Sequence, residues 1–120
     1  MSDSLDELTL AIRRFAEERD WEQFHSPKNL AMALIVETGE LVEHFQWLSQ
    51  AQSDNLDAER RRAVSLELAD VLIYLLRLSD RLDIDLLDAA RQKLKINGQR
   101  YPATLARGRA DKHHAYRADE

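Results

Sequence analysis

The 120-residue chain contains no cysteine. That excludes a disulfide framework and any thiolate nucleophile or thiolate metal site. It has only three glycines and two prolines, too few to punctuate a many-stranded β fold, and no strand pattern is present. No apolar run approaches the roughly 18 residues that span a bilayer, and the N-terminus lacks a basic-then-apolar signal pattern. A cytoplasmic protein with no membrane partner is expected. Aromatic residues make up 7% and are not interleaved with the basic ones, which argues against a platform for a nucleic acid polymer. What remains is rich in Leu, Ala, Glu and Arg, which favour helices. The 44% apolar content supports one small core.

The net charge of −5 is uneven. Residues 91–120 hold eight Lys/Arg against three Asp/Glu, whereas residues 1–90 hold nine against nineteen. An acidic body with a basic end can bind phosphates, although a solvated basic tail has the same composition.

Four helices are expected. Ser4-Leu5-Asp6-Glu7 is a capping box that starts the first. Leu5, Leu8, Ile12 and Phe15 form its inner face, with Arg19 at the edge. Residues 20–26 break the pattern and carry Trp21, Phe24 and His25. Ser26-Pro27 opens a second helix that runs to about Ser49. A polar loop over 50–57 leads to a third, from Asp57 or Ala58 to about Leu82. A fourth spans about 85–97, with Leu86, Leu87, Ala90 and Leu94 inward. Asn97-Gly98 caps it, and Tyr101-Pro102 forbids extension. Residues 1–102 thus read as the helical domain and 103–120 as an irregular basic tail. The whole is an all-α four-helix bundle. Leu41, Val42, Leu72, Ile73 and Leu76 lie on more than one face of their helices. A helix apolar on several sides is packed on several sides, and in a chain this small that implies a homo-oligomer.

Two stretches carry the chemistry. Leu34–Leu41 contains Glu37 and Glu40; Val64–Val71 contains Glu67 and Asp70. Glu37 falls in the middle of the stripe Leu30, Leu34, Leu41, Phe45, Leu48. Glu67 falls in the middle of Val64, Val71, Leu75, Leu78, Leu82. Each helix aims one carboxylate at the core and holds a second a turn away. Two carboxylates roughly 5–6 Å apart repel by about 3 kcal/mol at an effective dielectric near 20, and burial adds a desolvation penalty. Either the acids take up protons or a hard divalent cation such as Mg²⁺, Mn²⁺ or Ca²⁺ neutralises them.

The pattern Glu-x-x-Glu, 26 residues, Glu-x-x-Asp resembles the MazG-like superfamily of all-α nucleoside triphosphate pyrophosphohydrolases. The flanking residues are similar to its dCTP pyrophosphatase branch: Phe15 through His25, Pro27-x-Asn29-Leu30, Phe45-Gln46-Trp47, Asp70 through Tyr74, Lys93-x-x-x-Asn97 and Arg100-Tyr101-Pro102. The resemblance covers residues 10–112. It implies that Glu37, Glu40, Glu67 and Asp70 hold Mg²⁺, with Mn²⁺ as a substitute, and that one of them orients or deprotonates the attacking water. It implies a nucleoside triphosphate substrate, cleaved to a monophosphate and pyrophosphate. It implies a homotetramer built as a dimer of dimers, with sites between subunits. Trp47 would stack on the base; Trp21, His25 and Tyr74 would line the same pocket. Lys93 and Asn97 would meet the phosphates and the nucleoside, and Lys112 would add a phosphate contact.

Two readings from other classes compete. A carboxylate-bridged di-iron bundle needs Glu-x-x-His pairs, and here Glu40 and Asp70 stand where His would be. A non-catalytic helical interaction module leaves the inward acids indifferent to Mg²⁺.

Overall fold

The computed structural model describes residues 4–116. Every regular element among them is helical. The long helices are α1 (Leu5–Glu18), α2 (Pro27–Glu43), α4 (Ala58–Arg81) and α5 (Leu86–Arg100), with single turns α3 (Gln50–Ser53) and α6 (Ala103–Ala106). Short 3₁₀ turns cover Glu22–Phe24 and His113–Tyr116. The chain divides into two compact units, one ending at Ile84 and one beginning at Asp85. No helix among the described residues is long and apolar enough to cross a membrane.

In the first unit α4 is the central element: α2 packs along it most extensively, and α1 packs on it as well. Ala16, Leu30, Val64 and Leu76 are buried at these contacts. Side-chain caps start the helices as the sequence implies. Ser4, Ser26 and Asp57 accept the backbone N–H of Glu7, Asn29 and Arg60.

Helices α1 and α4 end alike. Trp21 N–H donates to the Ala16 carbonyl and Asp20 N–H to that of Glu17. Ile84 N–H donates to Ser79 and Asp83 N–H to Asp80 in the same way. Both are Schellman endings. Their left-handed position, usually glycine, is filled by Asp20 and Asp83, each at φ 54°. A short polar side chain tolerates that conformation best after glycine.

Three details depart from the sequence expectation. Helix α2 stops at Glu43, not Ser49; residues 44–48 form successive turns. Ser49 must adopt extended backbone to cap α3, where it exchanges bonds with Gln52. The His44 carbonyl freed by the early stop accepts a bond from Arg60 Nη1 at 2.9 Å. Gly98 lies inside α5 and does not cap it. The helix runs on to Arg100 because Pro102, which forces Tyr101 out of helical geometry, is the effective stop. Phe15 does not face the core. It is 48% exposed, Ala16 is buried in its place, and the Arg19 guanidinium lies 3.6 Å over its ring.

The second unit holds α5 and the segment after it. Tyr101 packs edge-on against His113 and Tyr116, at 6.2 and 5.6 Å between ring centres. Tyr116 is buried, and its hydroxyl accepts the Asp111 N–H. Aromatic packing therefore orders residues through 116, beyond the irregular tail expected. On α5, Leu86 is half-buried, whereas Leu87 and Leu94 are exposed, contrary to their expected inward position.

Candidate functional site

The packing of α2 on α4 sets two pairs of acids against each other. Glu37, Glu67 and Asp70 each offer a carboxylate oxygen, and the three oxygens lie within 4.8 Å of one another. Glu40 is outside that trio, yet it acts on both Glu37 and Glu67. Burial pushes the carboxyls of Glu37 and Glu67 above the ordinary range; Glu40 and then the other acids push further in the same direction. One oxygen of each, Oε2, is shielded from solvent and has no hydrogen-bond partner among the described residues.

Buried acceptors without donors are costly. At ligand distances of about 2.0–2.6 Å, one cation's oxygen shell spans about 4–5 Å. The trio therefore fits a single hard divalent cation, and the two orphaned oxygens are the atoms it would satisfy. His44 Nε2 lies 3.9 Å from Glu67 Oε1, beside the trio. Tyr74, one turn after Asp70, adjoins the same acids: burial raises its phenol, and the charges of Glu37, Asp70 and Glu40 raise it further.

The loop between α1 and α2 forms a second cluster. Trp21 lies edge-on between Phe15 and His25, at 5.7 and 6.1 Å. Asn29 Nδ2 donates to the Phe24 carbonyl. Arg77 Nε donates to His25 Nδ1 at 3.1 Å, and Arg81 Nε donates to the His25 carbonyl at 3.0 Å. Arg77 is 3% exposed. Asp80 receives Arg13 Nε at 2.9 Å and Arg13 Nη2 at 2.5 Å, with Arg77 Nη1 at 3.5 Å. The Arg13 hydrogen bonds hold the Asp80 carboxyl below its usual range against the opposing effect of burial. Burial, then the charges of Arg77 and Arg81, hold the His25 imidazole low.

Arg13, Arg77, Asp80 and Arg81 were not among the residues singled out from the sequence. A signal for two of them was present: Asp70, Tyr74, Arg77 and Arg81 stand at i, i+4, i+7 and i+11, one face of one helix.

The fold thus gathers Glu37, Glu40, Glu67, Asp70 and Tyr74 in one place, and Trp21 with His25 in another. Trp47 does not extend α2 as expected; it sits in the turns after it and is 87% exposed. Lys93 and Asn97 belong to the second unit, four apart on one face of α5. Lys112 immediately precedes the final 3₁₀ turn.

The model of the MazG-like family matches residues 32–114. The chain is 46% identical to dCTP pyrophosphatase 1 of Rattus norvegicus over 112 residues, 92% of this chain and 66% of that protein. Identity to the Homo sapiens protein of the same name is 45% over the same spans. The chain thus spans about two thirds of the length of these relatives. The crystal structure of a pyrophosphatase from Archaeoglobus fulgidus superposes with a TM-score of 0.76 at 39% identity, covering 85% of this chain and 95% of that one. The acid pairs on α2 and α4 lie inside the matched segment, and the chain belongs to the MazG-like family.

Proposed function

We propose that this protein hydrolyses nucleoside triphosphates, dCTP or a modified dCTP first among them, to the monophosphate and pyrophosphate in a Mg²⁺-dependent reaction, with Mn²⁺ able to substitute. The observation that carries the reading is the acid cluster of α2 and α4 with its two orphaned buried oxygens. The relatives named dCTP pyrophosphatase 1 support the substrate. Glu37, Glu67 and Asp70, with Glu40 beside them, would hold the cation. When bound, that cation would neutralise phosphate oxygens and stabilise charge at the reacting phosphorus. One of the four carboxylates accepts the proton of the attacking water. Tyr74 borders the phosphates. Trp47 offers an open ring face for the base, Trp21 and His25 line the nucleoside end, and Lys93, Asn97 and Lys112 meet the phosphates and sugar. Residues 1–102 form the hydrolase domain in this reading, 103–120 are its basic tail, and the site of action is the cytoplasm.

The protein acts as a homo-oligomer, a tetramer formed as a dimer of dimers. Helix α2 supports this. Beyond its inward stripe it carries a second apolar face, Met32, Ile35, Val36 and Val42, on which Ile35 is 71% exposed. Patches of this kind are covered in stable proteins. A second copy would cover that face and bring further residues to Trp47.

The test is product analysis by anion exchange and ³¹P NMR during turnover of dCTP with Mg²⁺. Accumulation of dCMP with pyrophosphate is expected. Accumulation of dCDP with orthophosphate, or no turnover across a panel of canonical and modified dNTPs, would overturn the proposal. Sedimentation analysis checks the assembly; a monomer at micromolar concentration would remove that part.

A further inference from the structure

We propose that Arg77 is a positioning residue that fixes His25 in its Nε2–H tautomer, so that His25 offers a hydrogen-bond donor to an acceptor atom of the bound nucleoside. The proposal rests on the nucleotide reading above and adds to it a residue and a protonation geometry.

Arg77 Nε always carries hydrogen, and it donates to His25 Nδ1 at 3.1 Å. Nδ1 must therefore be the ring's acceptor, and the single ring proton must sit on Nε2. His25 Nε2 has no protein partner among the described residues. Arg77 cannot easily turn away. It is almost fully buried, and its Nη1 leans on Asp80, which Arg13 of α1 grips with two bonds. Arg81 holds the His25 carbonyl from the next turn of α4. Ring and backbone of His25 are thus both tied to the helix that carries Asp70.

The groups around the ring favour the neutral form. Arg77 and Arg81 face it from α4, against Glu22 from its own loop. A charged imidazole would offer two donors and repel both arginines; the neutral, oriented ring offers one.

Position supplies the functional step. Arg77 lies seven residues beyond Asp70 on the same face of α4, roughly 10 Å along the axis. In the proposed function Trp21 and His25 line the nucleoside pocket, and the loop that Arg77 and Arg81 hold carries both of them. Trp21, edge-on to His25, places an aromatic ring beside the donor. A fixed donor selects for an acceptor atom at that point and against an amino group.

Two experiments decide the matter. The first is ¹⁵N-edited NMR of the histidine side chains in the full chain at neutral pH, with His25 assigned by the loss of its signals in His25→Gln. The expected result is a lone-pair shift at Nδ1 and a protonated shift at Nε2. Replacing Arg77 by Gln, or by Lys, which keeps the charge but lacks the planar N–H, should give a tautomer mixture. The second is a double-mutant cycle on dCTP turnover. Arg77→Gln should raise KM about five- to tenfold, the scale of one neutral hydrogen bond, with kcat changed less than about twofold. In the His25→Gln background, where the amide supplies its own donor, the same change should have little effect. A proton found on Nδ1 of His25, or an equal loss in both backgrounds, would overturn the proposal, the second by reducing Arg77 to loop support. A wild-type protein that turns over no nucleotide would remove the functional reading and the substrate half of this one. The ring tautomer would still decide the Arg77 half.

Discussion

Helix α4 carries two clusters of charge about two turns apart, built on opposite principles. At Glu67 and Asp70, like charges from α4 meet like charges from α2, and two buried oxygens have no donor. At Arg77, Asp80 and Arg81, charges of opposite sign meet, and Asp80 is gripped from a second helix by Arg13. The first cluster destabilises the bare fold and gains only when something positive arrives. The second pairs its charges without a ligand, although Arg77 Nη2 is buried with no partner among the described residues, and it ties α1 and the His25 loop to α4. Both clusters are built on the same helix.

The largest way to break this contrast is to neutralise the acids. Glu67→Gln and Asp70→Asn should each reduce turnover by at least about a hundredfold, the scale of losing a preorganised charge. The metal-free melting temperature should stay level or rise, because repulsion is relieved. A variant that keeps near wild-type turnover at saturating Mg²⁺ would strike that residue from the site.

The mirror experiment is Asp80→Ala. Removing the one carboxylate among three arginines leaves buried positive charge uncompensated, and stability should fall by about 2–4 kcal/mol in denaturant titration. Arg13 is partly solvated, which keeps the estimate below that of a fully buried pair. A loss under 1 kcal/mol would show that Arg13 and Arg77 find other partners.

Mg²⁺ should sharpen the difference. A cation bound only by the folded acids at a hundred times its Kd stabilises by about 2.7 kcal/mol, read as a rise in melting temperature that is absent in Glu37→Gln. No rise in the wild type would support a non-catalytic helical module.

Acidity separates the clusters by sign. Glu37 and Glu67 have folded-state values above the ordinary 4.5. Their favourable contribution, carried by the protonated form, is present below 4.5 and is lost as pH rises through the folded value. Asp80 lies below its ordinary 3.8. Its contribution is present above 3.8 and is lost as pH falls through the folded value. In EDTA, melting should therefore fall as pH rises above 4.5 in wild type and flatten in the double variant Glu37→Gln, Glu67→Gln. The advantage of wild type over Asp80→Asn should shrink below pH 3.8. A metal-free protein that gains stability over the first interval, with the double variant no flatter, would contradict the acid-cluster account.

The smallest effect is a control in the second unit, on a helix that carries neither cluster. Gly98 lies inside α5, and a Cβ there meets nothing within 4 Å. Gly98→Ala should stabilise by about 0.5–1 kcal/mol without changing turnover or the pH profile.

The sequence by itself determined the helices and the face of each acid, because those features are local. Caps at Ser4, Ser26 and Asp57 act within four residues, and the stripes around Glu37 and Glu67 repeat every turn, so Leu30 and Val64 come out buried and the acids come out inward. The quartet was legible for the same reason. Local reading misjudged breaks that depend on competition: Gly98 looked like a cap until Pro102 proved the stronger stop, and α2 yielded early to the cap at Ser49. Asp20 and Asp83 stood where glycine is the usual sign. Tertiary structure alone decided that Glu37, Glu67 and Asp70 converge within 4.8 Å, because helical period gives an angle around an axis and not the register between two axes. It alone decided that Arg13 meets Asp80 across 67 residues and that Arg77 ends on His25. No spacing encodes such contacts; they exist because packing α1 and the loop against α4 buries Arg77 and most of Asp80 and brings Arg13 and His25 within reach of them.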